Sequence, residues 1–415
     1  MNMNCCGSNS RKSKIRCYQS NSNYNNNHTN NENDDKQDKS YIDNTSKSYY
    51  QKIDKFSKTP ENIDNSNYGT IGLINLGYLC YFNAAIQNLK NAFPFTLYIL
   101  KNHKKFSKSD FIYKYCKLIA NLIEQDEYKF CEPKEFFCHF HKLSPNFRIG
   151  EQNDSNICII YILNKFEKEA RKEGIPNPDI IDSLSKDEKE KFKDFIYKSY
   201  SQRNSYILDI FFGFQEDIFE CRNAKCNEKN YFFQGFTVLN IPIVTSRNYN
   251  IPTLEEAIKL YQYKRLHKDK QGFICQKCNG RDIQSLTKII SYPKILIINF
   301  KRIGEKYFYN HNVEVPSVLN LDKYQYELIG FIKHIGGAKS GHNMAICKNF
   351  FDNKWYEYDD FKVNEIKSLF KIKDYYLPDT KNGFLFFYKK LGIFDNIETQ
   401  QDKNFIIQAS SELRK

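Results

Sequence analysis

The hydrophobic pattern divides the chain into three textures. Residues 1 to about 66 are rich in Asn, Ser, Asp and Lys, with runs such as Asn25-Asn26-Asn27 and Asn30-Asn31-Glu32-Asn33 and few apolar positions. Such a stretch buries too little apolar surface to offset the entropy of ordering, so it reads as a disordered, low-complexity tail. From about Gly72 the spacing becomes helical. Phe82, Ala85, Ile86, Leu89 and Phe93 share one face of a helix expected over 81–93, and Pro94 is expected to stop it. Helical character continues through 107–124, 133–142 and 155–172. The stretch 167–203 is charged and holds Pro176 and Pro178, and reads as a surface insertion with a helix near 186–200. From Phe211 onward, apolar, β-branched and aromatic runs at 232–243, 289–300, 326–334, 344–348, 354–358 and 384–388 read as strands. A helical first half and a strand-rich second half predict an α+β fold, not a doubly wound α/β one. No internal repeat is visible.

Composition sharpens this picture. At 415 residues, 40% hydrophobic and 16% aromatic, the chain can build one large domain or two or three smaller ones. The net charge is +13, from 62 basic and 49 acidic residues. A positive surface suits acidic partners, anionic lipid or nucleic acid, but the lysines are dispersed and read as solvated faces. The 13 cysteines are unevenly spaced. The start, Met1-Asn2-Met3-Asn4-Cys5-Cys6, has no apolar run, and no later stretch is long enough to cross a bilayer. A reducing compartment, cytoplasmic or nuclear, is expected, where cysteine clusters serve metal binding or catalysis. Cys5 and Cys6 precede Arg11, Lys12, Lys14 and Arg16. These would suit a palmitoyl anchor beside a basic patch, and so a weak membrane association; an inert tail is the plainer reading.

Three groups of residues carry candidate chemistry. Cys80 directly precedes the first helical pattern, where a helix dipole favours the thiolate. Gly77 allows a tight turn into that helix, and the side-chain amide of Asn75 could join a backbone N–H in holding an oxyanion. Far along the chain, Gly341-His342 follows a Gly-rich turn, and Asp359 comes behind Trp355, the only tryptophan. A histidine base needs a third group to set its tautomer, and an acid on the neighbouring strand of a hairpin supplies one. His334, on an apolar strand outside that turn, reads as structural. Finally, Cys221, Cys226, Cys275 and Cys278 form two cysteine pairs. Two such pairs make a tetrahedral four-thiolate zinc site, with unbound buried thiols as the alternative.

These segments resemble the ubiquitin-specific proteases, the large papain-like class of deubiquitinases. That family's Cys box runs Gly-Leu-x-Asn-x-Gly-x-Thr-Cys-Tyr-Met-Asn-Ser, followed by Leu-Gln-x-Leu. This chain keeps Gly72, Leu73, Asn75, Gly77, Cys80, Tyr81, Asn83, Gln87 and Leu89, with Leu79, Phe82 and Ala84 as departures. The His box, a Gly-His-Tyr turn followed by Trp-x-x-Phe-Asp-Asp, is similar to Gly341-His342 and Trp355–Asp360, with Asn343 where an aromatic residue is usual. Gly150–Ile157 resembles the Gln-Gln-Asp-Ala-x-Glu box, with Ile157 in place of the Glu. Tyr292–Arg302 and Gly383–Tyr388 resemble two of the family's core strands. In order, the likeness covers about residues 70 to 390.

The resemblance implies a thumb-palm-fingers architecture with a zinc ribbon at the fingertips. It implies a tail over 1–66, a catalytic domain over 67–390 with fingers at about 211–300, and a C-terminal tail over 391–415. By this match Cys80 is the nucleophile, His342 the base, Asp359 the orienting acid with Asp360 as a less favoured substitute, and Asn75 the oxyanion residue. Asp154 would contact the basic tail of ubiquitin, and the cysteine quartet would hold a structural zinc. The expected activity is thiol-dependent hydrolysis of the isopeptide bond after ubiquitin's C-terminal glycine, with ubiquitin and ubiquitinated proteins as partners. The alternatives are a catalytically weak ubiquitin-binding adaptor and a protease for a ubiquitin-like modifier. Nucleic acid is not expected as a partner: Arg222, Lys225, Lys277 and Arg281 near the cysteines form no run and have Glu228 among them.

Overall fold

Burial on every side shapes the first helix and fixes the elements packed around it. The computed structural model describes residues 68–415 apart from 125–128, 145, 149, 227, 245–248, 268–273, 303–308, 338–339, 370–376, 378–379 and 393–398, together with one short strand, β1 (Ile15–Arg16). The rest of the expected N-terminal tail, including its Cys5–Cys6 anchor, lies outside the described residues. After β2 (Gly72–Leu73) come helices α1 (Cys80–Asn91), α2 (Phe93–Lys101) and α3 (Phe111–Ile123), then β3 (Phe130–Cys131), α4 (Lys134–Leu143) and α5 (Ser155–Glu169). Helices α6 (Lys186–Tyr200) and α7 (Tyr206–Phe211) lead into β4 (Gly213–Cys221), β5 (Lys229–Phe236) and β6 (Val238–Ile241). Next are α8 (Leu254–Tyr261), β7 (Arg265–His267), β8 (Ile274–Cys275), β9 (Ile283–Ser291) and β10 (Ile295–Phe300). The chain continues through β11 (Val318–Leu321), β12 (Tyr324–Gly336), β13 (Gly341–Lys348), β14 (Trp355–Asp359), β15 (Lys362–Ile366), β16 (Gly383–Lys390) and α9 (Gln400–Arg414).

The expected α+β architecture is present. The main sheet runs β15-β14-β13-β12-β16-β10-β6, with β11 also on β12, and a second sheet runs β5-β4-β9-β7. Two apolar runs that read as single strands are each divided between these sheets. The 232–243 run breaks at Thr237 into β5 and β6, and the 289–300 run breaks at Pro293, which cannot donate to a ladder, into β9 and β10. Strand β1 pairs antiparallel with β8.

Helix α1 packs between β13 and α5. Its predicted apolar face is buried, with Phe82 against Phe136, Phe137 and Phe140 of α4. The opposite face carries Asn83, Gln87 and Lys90, which a surface helix would send to water. Here they are buried and stitched to the chain that precedes the helix. Asn83 Nδ2 donates to the carbonyls of Leu73 (3.3 Å) and Ile74 (3.4 Å), Gln87 Nε2 to Ile71 (2.8 Å), and Lys90 Nζ to Gly69. Each bond pairs a buried side-chain donor with a backbone carbonyl.

Three expectations need correction. Pro94 does not stop the helical region: α1 ends at Asn91, and Pro94 sits in the first turn of α2, where its missing N–H has no partner to lose. The 167–203 stretch is not a loose surface insertion. Glu167 is buried and clasped by Arg203 through Nε (3.0 Å) and Nη2 (2.5 Å), a bidentate charged pair. Phe192 and Tyr200 of its helix pack edge-on against Phe214 of β4. The segment expected as a C-terminal tail carries α9, which packs on α2 and α3 and pairs Asp402 with Lys101 (2.7 Å) and Arg414 with Glu124 (3.3 Å).

Lys90 is a testable feature. Burial brings its ammonium from 10.5 down to about 8. Between those values the unfolded chain holds a proton that the folded one has released, so stability is expected to rise with pH across that window. The disadvantage of burying the charge is fully present below pH 8 and is on the order of 3 kcal/mol. Tyr358 also donates to the Gly69 carbonyl (3.0 Å), so that acceptor survives loss of the amine. Lys90→Met is therefore expected to match or exceed native stability at pH 7, with the difference narrowing toward pH 10. Urea denaturation across that range checks it; a native protein more stable than the variant at pH 7 would show that the ammonium is net stabilising.

Candidate active site

Cys80 is the first residue of α1, the end at which a helix presents unpaired N–H groups. The turn before it uses left-handed backbone at Gly77 (φ 96°) and Tyr78 (φ 59°). Asn75 holds that turn, its Oδ1 accepting from the N–H groups of Gly77 (3.1 Å) and Leu79 (2.8 Å). Leu79 is buried, so the position resembling a Thr is filled here by a core side chain.

His342 lies on β13 and Asp359 at the end of the neighbouring β14. His342 Nε2 meets Asp359 Oδ1 at 2.5 Å. This partner, with Cys80 as a further contributor, raises the imidazole to about 10 against the opposing effect of burial. The same bond holds the Asp359 carboxyl below its usual range.

Asp360 turns the other way and does not serve as a substitute orienting acid. With φ at 53° it points inward, where it accepts from Asn75 Nδ2 (2.9 Å) and Asn83 Nδ2 (2.8 Å). Burial pushes its carboxyl up, against the lowering effect of those two amides. The backbone after it passes so close to β2 that a side chain at Gly72 would collide with the Phe361 carbonyl. Leu73 N–H donates to the Asp360 carbonyl (2.9 Å) in the same contact.

Residues around 150 close the site from the other side. Gln152 forms a double bridge to the residue before the histidine: its Nε2 donates to the Gly341 carbonyl (2.7 Å), and its Oε1 accepts from the Gly341 N–H (3.0 Å). Asp154 is the N-cap of α5, accepting from the N–H groups of Asn156 (2.6 Å) and Ile157 (3.4 Å); desolvation by the surrounding protein raises its pKa against those two bonds. Asp154, Ile157, Arg302, His334, Asn343 and Phe384 help line a cavity of about 440 Å³ beside Cys80. At its inner end, Asn343 Nδ2 lies 3.8 Å from Cys80 Sγ, and Asn343 Oδ1 lies 3.0 Å from His334 Nδ1.

The cysteine quartet assembles at the far end of the finger sheet. All four sulfurs lie within 4.8 Å of one another, with Cys221–Cys278 and Cys226–Cys275 each at 3.6 Å. The edge of a thiolate tetrahedron around a cation with bonds near 2.3 Å is about 3.8 Å, so the donor set fits a metal ion.

Residues 71–388 match the family described as ubiquitin carboxyl-terminal hydrolase. The chain belongs to that family. It is 25% identical to "Ubiquitin carboxyl-terminal hydrolase Usp2" of Drosophila melanogaster and 24% identical to "Ubiquitin carboxyl-terminal hydrolase 2" of Homo sapiens, over 78% of this chain in each case. Those matches span 36% and 56% of the two relatives' lengths. Among solved structures, the SAGA deubiquitinating module Ubp8/Sgf11/Sus1/Sgf73 bound to monoubiquitin has the same fold: TM-score 0.57, 18% identity, 83% of this chain and 73% of that one.

Within the hydrolase fold, the residues expected from sequence as nucleophile, base, orienting acid and oxyanion donor come together. What sequence reasoning missed lies around them. His334 is not remote: the register of β12 on β13 sets it directly opposite Asn343. The tie from Asn83 to Asp360 and the Gln152 bridge also escape a sequence reading, since both join segments far apart in the chain. The period-2 pairing across the Gly-rich turn is the one signal that could have brought His334 and Asn343 together.

Asp359→Asn is expected to bring the His342 pKa from about 10 down toward the ordinary imidazole range. In the native protein the raised pKa adds stability that is fully present below about pH 6.5 and is lost as pH rises toward 10; the variant should lose that dependence. Imidazole proton NMR over a pH titration reads both the residue and the direction, and an unchanged titration would show that the bond to Asp359 does not govern His342.

Proposed function

We propose that this protein is a thiol-dependent deubiquitinase that hydrolyses the isopeptide bond after the C-terminal glycine of ubiquitin, acting on ubiquitin and ubiquitinated proteins. One observation carries the reading: His342 is bound to Asp359 through Nε2 at 2.5 Å, and Cys80, at a helix start, lies against Asn343, the next residue of the same strand. An imidazole raised to about 10 is protonated at neutral pH, which favours an ion pair with the Cys80 thiolate. The thiolate attacks the carbonyl carbon of the terminal glycine. As the C–N bond breaks, His342 gives its proton to the departing lysine amine. His342 then takes a proton from water, which attacks the thioester and releases Cys80.

Asn75 suits the oxyanion role. One N–H of its amide is engaged by Asp360, which holds the group rigid and leaves the second N–H for the developing charge. Cys221, Cys226, Cys275 and Cys278 would hold zinc, whose part here is to close the fingertips and not to enter the reaction. Asp154, exposed at the cavity wall, suits the basic tail of ubiquitin. A second reading, a protease for a ubiquitin-like modifier, is favoured by Ile157, which is 52% exposed at that wall where the resembling motif has an acid.

A ubiquitin probe with a thiol-reactive C-terminus should label the native chain and leave Cys80→Ala unlabelled. Failure of the folded native protein to react would overturn the deubiquitinase reading, and preferential reaction of a ubiquitin-like probe would favour the second. Asn75→Ala is expected to lower kcat by roughly 100-fold with a smaller change in KM; a change confined to KM would remove Asn75 from the oxyanion role. Chelation of the purified protein should release zinc to a colorimetric indicator and lower the melting temperature, whereas no release on unfolding would leave the quartet as free thiols.

A further inference from the structure

His334 and Asn343 form a pair that the proposed reaction leaves unused. Both ring nitrogens of His334 have partners: Nδ1 faces Asn343 Oδ1 at 3.0 Å, and Nε2 faces the Gly337 carbonyl at 3.1 Å. Asn343 Oδ1 only accepts, so His334 Nδ1 donates to it. With its oxygen held by the ring, the amide directs Nδ2 at the Cys80 sulfur, 3.8 Å away. An N–H facing the sulfur favours a thiolate over a thiol.

The ring is held in place for this coupling. A side chain at Gly341 would collide with His334 Nε2, so the imidazole sits directly on the backbone next to His342. Phe384 meets it edge-on. Asp154, at the start of α5, is the acid that lines the same cavity as the ring. Lys301 and Arg302, after β10, line the same cavity. The Arg302 guanidinium is occupied by the carbonyls of Gly383, Tyr309, His311 and Thr380. His342 lies one position along β13, opposite Ile335.

We propose that Asn343 is a further catalytic residue, donating a hydrogen bond to the Cys80 thiolate, and that His334 is a positioning residue whose Nδ1–H holds the amide oxygen and keeps Nδ2 toward the sulfur. The inference rests on Cys80 being the nucleophile. It gives the site a second control on thiolate formation, separate from His342.

The test is the pH profile of Cys80 alkylation by iodoacetamide in the full chain, followed at the Cys80 peptide by mass spectrometry, which needs no ubiquitin. Asn343→Ala should move the acid-side midpoint up by about 0.7 pH unit, near fivefold in rate at fixed pH, the size of one lost hydrogen bond. Asn343→Asp, which keeps the shape but sets an oxygen against the sulfur, should move it further. His334→Gln offers an N–H to Asn343 Oδ1, so it should keep the native midpoint. His334→Ala should behave like Asn343→Ala. If the Asn343 profiles superimpose on the native one while native Cys80 reacts faster than the half-buried Cys131 and Cys138, the inference falls and the nucleophile reading stands. If native Cys80 reacts no faster than those two, both fall. Equal shifts for His334→Gln and His334→Ala would also sink it, by marking the ring as merely structural.

Discussion

Everything at the candidate site depends on burying α1 on all sides. A helix surrounded by protein gains most by pairing the polar donors it takes inside. This one carries Asn83, Gln87 and Lys90 inward and meets the carbonyls of Gly69, Ile71, Leu73 and Ile74. The stitching leaves little freedom to slide the helix along the strand before it. Cys80, at its first position, is thereby set at one height against the β13–β14 hairpin. Asn83 reaches Asp360 as well as the strand, so the same residue ties the nucleophile's helix to the turn bearing both acids.

Those neighbouring acids show how backbone direction separates chemical roles. Asp359 ends a strand and faces the imidazole, whose bond keeps it ionised. Asp360, in left-handed backbone, faces inward onto two amides and is pushed toward its neutral form by burial. Identical side chains one residue apart thus serve two different nitrogen groups: one orients a base and the other immobilises an amide. A single carboxylate could not satisfy both at these distances.

The parts of the molecule legible in the sequence are those encoded locally. The 186–200 helix, the strands from 326 onward, and the Cys, His and acid segments all carry their signals within a few residues. Pro94 misleads because a proline at a helix start and one after a helix end look alike until the neighbouring break at Ala92 is known. The 232–243 and 289–300 runs mislead because apolar continuity does not say which sheet each half joins. The buried Glu167–Arg203 pair and the docking of α9 depend on contacts between distant segments, and single-sequence patterning has no term for those. His334 reads as structural from its own strand, and its contact with Asn343 lies across the hairpin, where a single strand gives no view of it.

The site also bears on the history of each molecule. Cys80 and Asn343 are 263 positions apart in the chain, and Asn75 and Asp360 are separated by 285. Contacts so distant form late, after the loop between them has been closed. A nascent or partly folded chain therefore carries Cys80 without the β13–β14 hairpin beside it. On the proposed function, reactivity emerges only when that hairpin closes on α1, so an activated cysteine would itself report that the two distant segments have met.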